Sequence, residues 1–195
     1  MILLNMELEN FRQFIGRQEI AFAVAETKNV TVLHGFNGSG KTALLNAFRW
    51  CLYGQCSPDF ERPDILENEA AYSKLSMGES MTVRVMIKFE DYNENGEKVK
   101  YKATRDMIIQ KSDSGTREVK QQPLLTLFYI DPSGDAQPAK EPVQYTIDSI
   151  MPPELSPFFF FNGERIEELA SPESGKNIDT AVRRVLDIYP IERAV

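Results

Sequence analysis

Apolar and polar residues alternate from the start of the chain. Ile2, Leu4, Met6 and Leu8 point one way and Leu3, Asn5, Glu7 and Glu9 the other, the two-residue period of a half-buried strand. Asn10 to Gly16 turns the chain, and Glu19-Ile20-Ala21-Phe22 predicts a second strand in a hairpin with the first. Val30-Thr31-Val32-Leu33 is an apolar run that predicts a buried strand. Ala43 to Tyr53 runs without Gly or Pro and is apolar on nearly all sides, with Asn46 and Arg49 the polar residues in its middle. A helix of that kind is buried, so it is expected at the centre of the domain. Gly54 to Pro63 reads as loop, and Asp64 to Asn68 as the start of a short helical connection toward Met77-Gly78.

The strongest alternation is Met81 to Glu90, where Val83, Val85, Ile87 and Phe89 interleave with Arg84, Met86 and Lys88. Asn93-Glu94-Asn95-Gly96 signals a turn. Lys98 to Arg105 returns as a strand, extended past a bulge by Met107-Ile108-Ile109. Ser112-Asp113-Ser114-Gly115 turns again into a strand over Leu124–Ile130. Such short turns predict antiparallel strands in a β-rich layer. Phe158-Phe159-Phe160-Phe161 cannot be one amphipathic face and predicts a strand buried on both sides, as in a parallel sheet. Asn162-Gly163-Glu164 then falls at its carboxyl end, where ligands bind in open α/β sheets. Ile166 to Ala170 starts a helix, and Asp179 caps a last one with the stripe Ala181, Val182, Val185, Leu186 and Ile188. That element is expected to continue beyond Val195.

Between the run at Val30 and the buried helix lies Gly35-Phe36-Asn37-Gly38-Ser39-Gly40-Lys41-Thr42, which fills every fixed position of G-x-x-x-x-G-K-[ST]. Strand, glycine turn and helix N-terminus aim backbone N–H groups at one point, and glycines let the backbone approach a phosphate. The backbone of Asn37, Gly38, Ser39 and Gly40 would cradle phosphates, Lys41 would reach the β- and γ-phosphates of ATP, and the Thr42 hydroxyl would ligate Mg²⁺. The competing reading is a chance glycine turn with a surface lysine. The fold class expected is α/β: a P-loop NTPase, with a mixed sheet around the P-loop helix and an antiparallel β layer beside it.

Composition narrows the picture. The chain has 195 residues, is 42% hydrophobic and 26% charged, and no apolar stretch has the length of a membrane span. No basic segment precedes the apolar start, so no signal peptide is expected and the location read is cytoplasmic, with no membrane partner. Cys51 and Cys56 are the cysteines and His34 the lone histidine. That is too few ligands for a zinc site, and free thiols are expected. His34 is expected to be an ordinary strand-end residue. The net charge of −7 argues against a surface coated in phosphate-binding lysines. It leaves room for a local basic cluster, and Arg84, Lys88, Lys98, Lys100, Lys102 and Arg105 form one on the predicted hairpin. A nucleic-acid contact and a plain solvated face both fit it.

A P-loop ATPase also needs a carboxylate at the end of an apolar strand. Asp131 ends the run Leu124–Ile130, yet Pro132-Ser133-Gly134 after it reads as a turn, and no glutamate follows. Either Asp131 completes a self-contained NTPase, or the acidic strand lies in protein outside this sequence. No guanine-reading N-K-x-D motif is present. A module that uses ATP only to hold two copies together is a third reading.

Asn10-Phe11-Arg12, the P-loop, and Ala47-Phe48-Arg49-Trp50-Cys51-Leu52-Tyr53-Gly54 together resemble the N-terminal head segment of SMC/RecF/SbcC-type ATPases, ABC-class enzymes that act on DNA. Pro157-Phe158-Phe159-Phe160-Phe161-Asn162-Gly163-Glu164-Arg165-Ile166 is most similar to the DndD-type members, ATPases of DNA phosphorothioate modification. The resemblance implies a head split in two. Residues 1–170 would be its N-terminal lobe, and 171–195 a helical segment leading toward a coiled coil. A C-terminal lobe of the same protein would carry the signature motif and Walker B, and a second head would close on the γ-phosphate. It also implies that Arg12 approaches the nucleotide phosphates, that Asn162 stands where Asp or Gln is usual as a metal contact, and that Glu164 is the nearby carboxylate. Partners implied are DNA, for which Arg84, Lys88, Lys100 and Lys102 of the basic cluster are the candidate contacts, and further modification or defence subunits; a related DNA repair or restriction ATPase head is the alternative. The fragment alone is expected to turn over almost no ATP.

Overall fold

The computed structural model describes residues 1–58, 60–92, 96–130, 134–139 and 142–160. Six strands, β1 (Ile2–Phe11), β2 (Phe14–Ala21), β3 (Ser80–Tyr92), β4 (Lys98–Lys111), β5 (Arg117–Ile130) and β6 (Ala136–Pro138), form one sheet in the order β2-β1-β3-β4-β5-β6. Every neighbouring pair is antiparallel. The helices are α1 (Lys41–Tyr53), α2 (Glu69–Ser73), α3 (Val143–Ile150) and the single turn α4 (Ser156–Phe159), with a 3₁₀ turn over Pro153–Leu155 before it.

Alternation decides which face of the sheet is covered. Val83, Val85, Ile87 and Phe89 of β3 are fully buried, beside Met6 and Leu8 of β1 and Ala103 and Leu127 of β4 and β5. Against this face lies α1, with Ala43, Leu44, Ala47, Phe48, Trp50, Cys51 and Leu52 buried. The Cys51 thiol reaches the carbonyls of Val85 (3.4 Å) and Ala103 (3.8 Å), so the helix crosses β3 and β4. The Trp50 ring sits 5.6 Å from that of Phe11. Each large apolar side chain removed from water here contributes about 1.5–3 kcal/mol, which is why the pattern of β3 and α1 alone places the core.

The hairpin β1–β2, the buried central helix, the loop after it and the β3–β4–β5 meander match expectation. β2 begins at Phe14, earlier than predicted, and β5 begins at Arg117. The irregularity falls between β4 and β5, where the register shifts twice, between Asp106 and Ile108 and between Ile108 and Ile109, beside Pro123 of β5, and β3–β4 pairing runs unbroken. A bulge is a place where a strand tolerates a residue with no N–H to donate.

Four expectations are corrected. Val30-Thr31-Val32-Leu33 is not a strand: Val30 is 76% and Val32 82% exposed, and the segment joins no ladder. An extended apolar run becomes a strand only where another strand accepts its hydrogen bonds, and no described residue does so. The β layer is not a separate sheet, because β1 pairs directly with β3. The parallel pairs of a mixed sheet are not among the described residues. The helix expected from Asp64 forms one turn later, where the Asn68 side chain accepts from the Ala71 N–H and caps α2. Phe158-Phe159 lies in a helical turn, not a strand, with Phe159 exposed and Phe160 buried. Pro157 at the start of the turn suits the first position of a helix, where a missing N–H costs nothing. Helix α3 had no counterpart in the sequence reading. Asp131, Phe161, Asn162, Glu164 and the helix after Asp179 lie outside the described residues.

Candidate functional site: the glycine loop at the head of α1

Helix α1 starts from Gly40, at φ +103°, and makes no side-chain cap hydrogen bond. Its first turn contains no acidic residue. The leading N–H groups of such a helix lack intrahelical partners and carry the positive end of the macrodipole. A Ser, Asp or Glu would normally satisfy them from within, so this N-terminus fits an anion from outside.

The loop before it is shaped by its glycines. Gly38 is left-handed at φ +79°. A Cβ on Gly35 would lie 2.3 Å from the Ser39 Oγ. The Ser39 N–H donates to the Phe36 carbonyl (3.2 Å), closing a tight turn. Lys41 folds its Nζ back onto the carbonyls of Gly35 (2.6 Å) and Phe36 (2.9 Å), bracing the loop across its mouth. Asn37, Gly38, Ser39, Lys41 and Thr42 are all exposed, so the cradle is open to solvent. The donors present, uncapped amides, an ammonium and the Thr42 hydroxyl, suit a polyphosphate with its magnesium ion. Among the described residues no cluster of three His, Cys, Asp or Glu could hold a metal alone. His34 is exposed just before the loop.

The turn between β1 and β2 packs beside this loop. Phe14 sits over Gly40, where a Cβ would meet the ring at 3.1 Å. Asn10 (φ +51°) and Arg12 (φ +49°) both hold left-handed backbone without being glycine. Such strain persists only where surroundings over-determine it. Here the Arg12 N–H donates to the Leu66 carbonyl (2.8 Å), Asn68 donates to the Arg12 carbonyl, and Asn10 accepts from Gly16 N–H (2.9 Å). The Arg12 guanidinium donates to the Ile65 carbonyl (2.7 Å) and lies 4.8 Å over the Phe60 ring. The turn is thus next to the loop, while the charge itself faces the segment 60–66.

The basic cluster divides between two faces. Arg84, Lys88, Lys100 and Lys102 lie on the face away from α1, Lys88 directly opposite Lys102. Arg84 pairs with Asp106 (3.0 Å) and Glu9 (3.6 Å), and Lys98 and Lys100 both approach Glu90. Lys88 and Lys102 are exposed and pair with no acid among the described residues. Arg105 is corrected out of this face. It is buried against α1, donating from Nε to the Cys51 carbonyl (3.0 Å) and from Nη2 to Gln144 Oε1 (3.2 Å). Period two decides this, since an odd-numbered residue of β4 sides with Ala103 and Met107. Both cysteines are free thiols. Burial raises Cys51 to about 12 and, against the opposing pull of Arg12 and Arg49, Cys56 to about 11.

Sequence reasoning missed a polar stripe on α1. Thr42, Asn46, Arg49 and Tyr53 recur at intervals of four, three and four, one side of a helix. The buried Asn46 donates to the Thr42 carbonyl (3.0 Å) and accepts from the N–H and hydroxyl of Ser57 (2.6 and 2.9 Å). Arg49 donates to the Ser156 hydroxyl (3.0 Å) and Tyr53 to the Met151 carbonyl (3.1 Å). The spacing was visible in the sequence; the partners were not.

A glycine loop braced by lysine, an uncapped buried helix behind it and a sheet beneath define a P-loop NTPase. In keeping with this, residues 5–186 match the AAA domain family, and the chain belongs to that family. No curated protein matches the chain. Among solved structures, a chain from work on the structural biochemistry of ATP-driven dimerization and DNA stimulated activation of SMC ATPases is similar at 15% identity. The likeness covers 93% of this chain and 99% of that one at a TM-score of 0.49, too low to specify function.

Proposed function

We propose that this chain is the ATP-binding half of an SMC/RecF-like ATPase head of the DndD type, acting on DNA in sulfur modification or phage defence. The observation that carries the nucleotide part is the α1 N-terminus, which lacks an internal cap and an acidic first turn and is led in by Gly38, Gly40 and Lys41. ATP would lay its β- and γ-phosphates on the amides of Gly38 to Thr42, displacing Lys41 from its two carbonyls onto phosphate oxygen. Mg²⁺ bound there would offset phosphate charge, with Thr42 as a ligand and Asn162 as a second. Glu164 would orient water, and Arg12 would reach the phosphates by leaving Ile65. The DndD assignment rests on the likeness of Pro157 to Ile166 to that group. A C-terminal lobe of the same protein and a second head would complete the site, so nucleotide would drive head dimerisation. On the DNA side the exposed pair Lys88 and Lys102 is the best-suited contact, since Arg84 and Lys100 already face acids.

Titration with a fluorescent ATP analogue and magnesium tests the nucleotide reading. Wild type is expected to bind, and Lys41→Ala to bind about tenfold or more weakly, a loss of about 1.4 kcal/mol or more. Equal affinity in the two would overturn it.

A further inference from the structure

We propose that Arg49 is a positioning residue that ties the nucleotide loop to the segment 151–160. This rests on the nucleotide reading of Gly35–Thr42 and goes beyond it.

Helix α1 touches both places. Its first turn holds Lys41 and Thr42, and seven residues on, on the same side as Thr42, stands Arg49. Along that side Asn46, Arg49 and Tyr53 each engage a segment outside the helix: Asn46 with Ser57, Arg49 with Ser156, and Tyr53 with Met151. Phe48 adds a stacked contact to Phe160, with centroids 5.4 Å apart and planes at 17°. Ser156 is itself only 2% exposed and Asn46 wholly buried. Polar groups removed from water in this way cost free energy unless each finds its partner, so the arrangement tolerates one relative placement of helix and segment. A purely apolar helix face could slide or repack; a charged donor set on one hydroxyl cannot.

Arg49 is the member suited to transmit a change. Its guanidinium bridges to Ser156 through Nη1, while the buried Nε has no partner within the described residues. Rotation or axial movement of α1 by a fraction of a turn would move that head relative to Ser156. Phosphates drawn onto the helix N-terminus act along the same axis. Thus the segment 151–160 takes its position from the occupancy of the loop.

The test uses the full-length protein, with amide hydrogen exchange over 143–160 followed with and without ATP and magnesium, beside nucleotide affinity and steady-state turnover. In wild type, nucleotide is expected to change exchange over 151–160. Arg49→Met keeps the aliphatic length and removes the donors. It should leave nucleotide affinity within about threefold of wild type, abolish the exchange response, and lower turnover through kcat with KM little changed. Arg49→Lys should recover part of the response. Ser156→Ala, a smaller change that a misfolded Arg49 variant cannot confound, should weaken it in the same direction. An unaltered response in Arg49→Met and Ser156→Ala overturns the proposal, as does a wild-type protein that binds nucleotide without any response over 151–160. Loss of nucleotide binding in Arg49→Met and Ser156→Ala would also overturn it, by making the contact part of the loop's own fold. Failure of wild type to bind nucleotide would instead strike the functional reading.

Discussion

Phe14 closes over Gly40, so that a Cβ on the glycine would come within 3.1 Å of the ring. The contact joins the β1–β2 turn to the residue from which α1 springs, and Gly40 also holds φ +103°. Gly40→Ala therefore meets backbone strain and a rigid aromatic neighbour together. Stability should fall by about 1–3 kcal/mol, with nucleotide affinity reduced more than in Gly38→Ala. At Gly38 a Cβ meets nothing within 4 Å and only the backbone conformation opposes it. Denaturant midpoints and analogue titration on both variants check the order.

Glu67 fixes the other side of the same turn. It is 3% exposed and holds Arg117 through two hydrogen bonds, the Nη2–Oε2 one at 3.0 Å, while its backbone bridges to Phe11. Glu67→Ala leaves a partly exposed Arg117 without its carboxylate, so it should cost about 1–3 kcal/mol. A chemical-denaturation series would show it, and a loss under about 1 kcal/mol would mark the pair as solvated.

The two faces of the β3–β4 hairpin should answer differently to charge changes. Lys88→Glu with Lys102→Glu is expected to weaken DNA binding and flatten the dependence of log K on log salt by about 1.8, about 0.9 per lost phosphate contact. ATP affinity should not change. Arg105→Met should leave DNA binding unaltered and destabilise the fold by about 1–3 kcal/mol, because the Cys51 carbonyl loses its donor. Filter binding at several salt concentrations separates the outcomes.

Alkaline pH should unfold the protein through its buried thiols. Cys51 rises from 9.0 to about 12 and Cys56 from 9.0 to about 11, both chiefly by burial. Tyr53 is raised as well, by burial first and the nearby Asp148 second. The fold thus holds protons that the unfolded chain releases at lower pH. Stability from these groups is complete below pH 9 and falls as pH climbs toward 11 and 12. Thermal midpoints measured from pH 8 to 10.5 should decline, and Cys51→Ala with Cys56→Ala should soften the slope. Alkylation at pH 8 should spare Cys51 in the folded protein and label it in denaturant.

Local pattern was enough for the elements whose partners follow closely along the chain. The period-two run of β3, its short turn to β4, and a helix without a hydrophilic side could each be read alone, because burial imprints its period wherever one face meets the core. The phosphate loop was legible for the same reason of locality: Gly35 to Thr42 shape the cradle from within eight residues. Val30-Leu33 and Phe158-Phe159 were misread because apolarity records a wish for burial but not the neighbour that provides it. A lone run finds no ladder, and Pro157 starts a helical turn.

The sequence by itself determined that a glycine loop of the P-loop pattern opens a buried helix, and that the strands after it run antiparallel through short turns. Only the tertiary structure decided that β1 sits between β2 and β3, that Arg105 turns inward to Cys51 while Lys88 and Lys102 stay outside, and that Arg49 reaches Ser156 across 107 positions. Period and turn chemistry act between near neighbours. Pairings between distant residues depend on which faces remain unsatisfied once the local elements have formed, and that is settled by packing the whole chain at once.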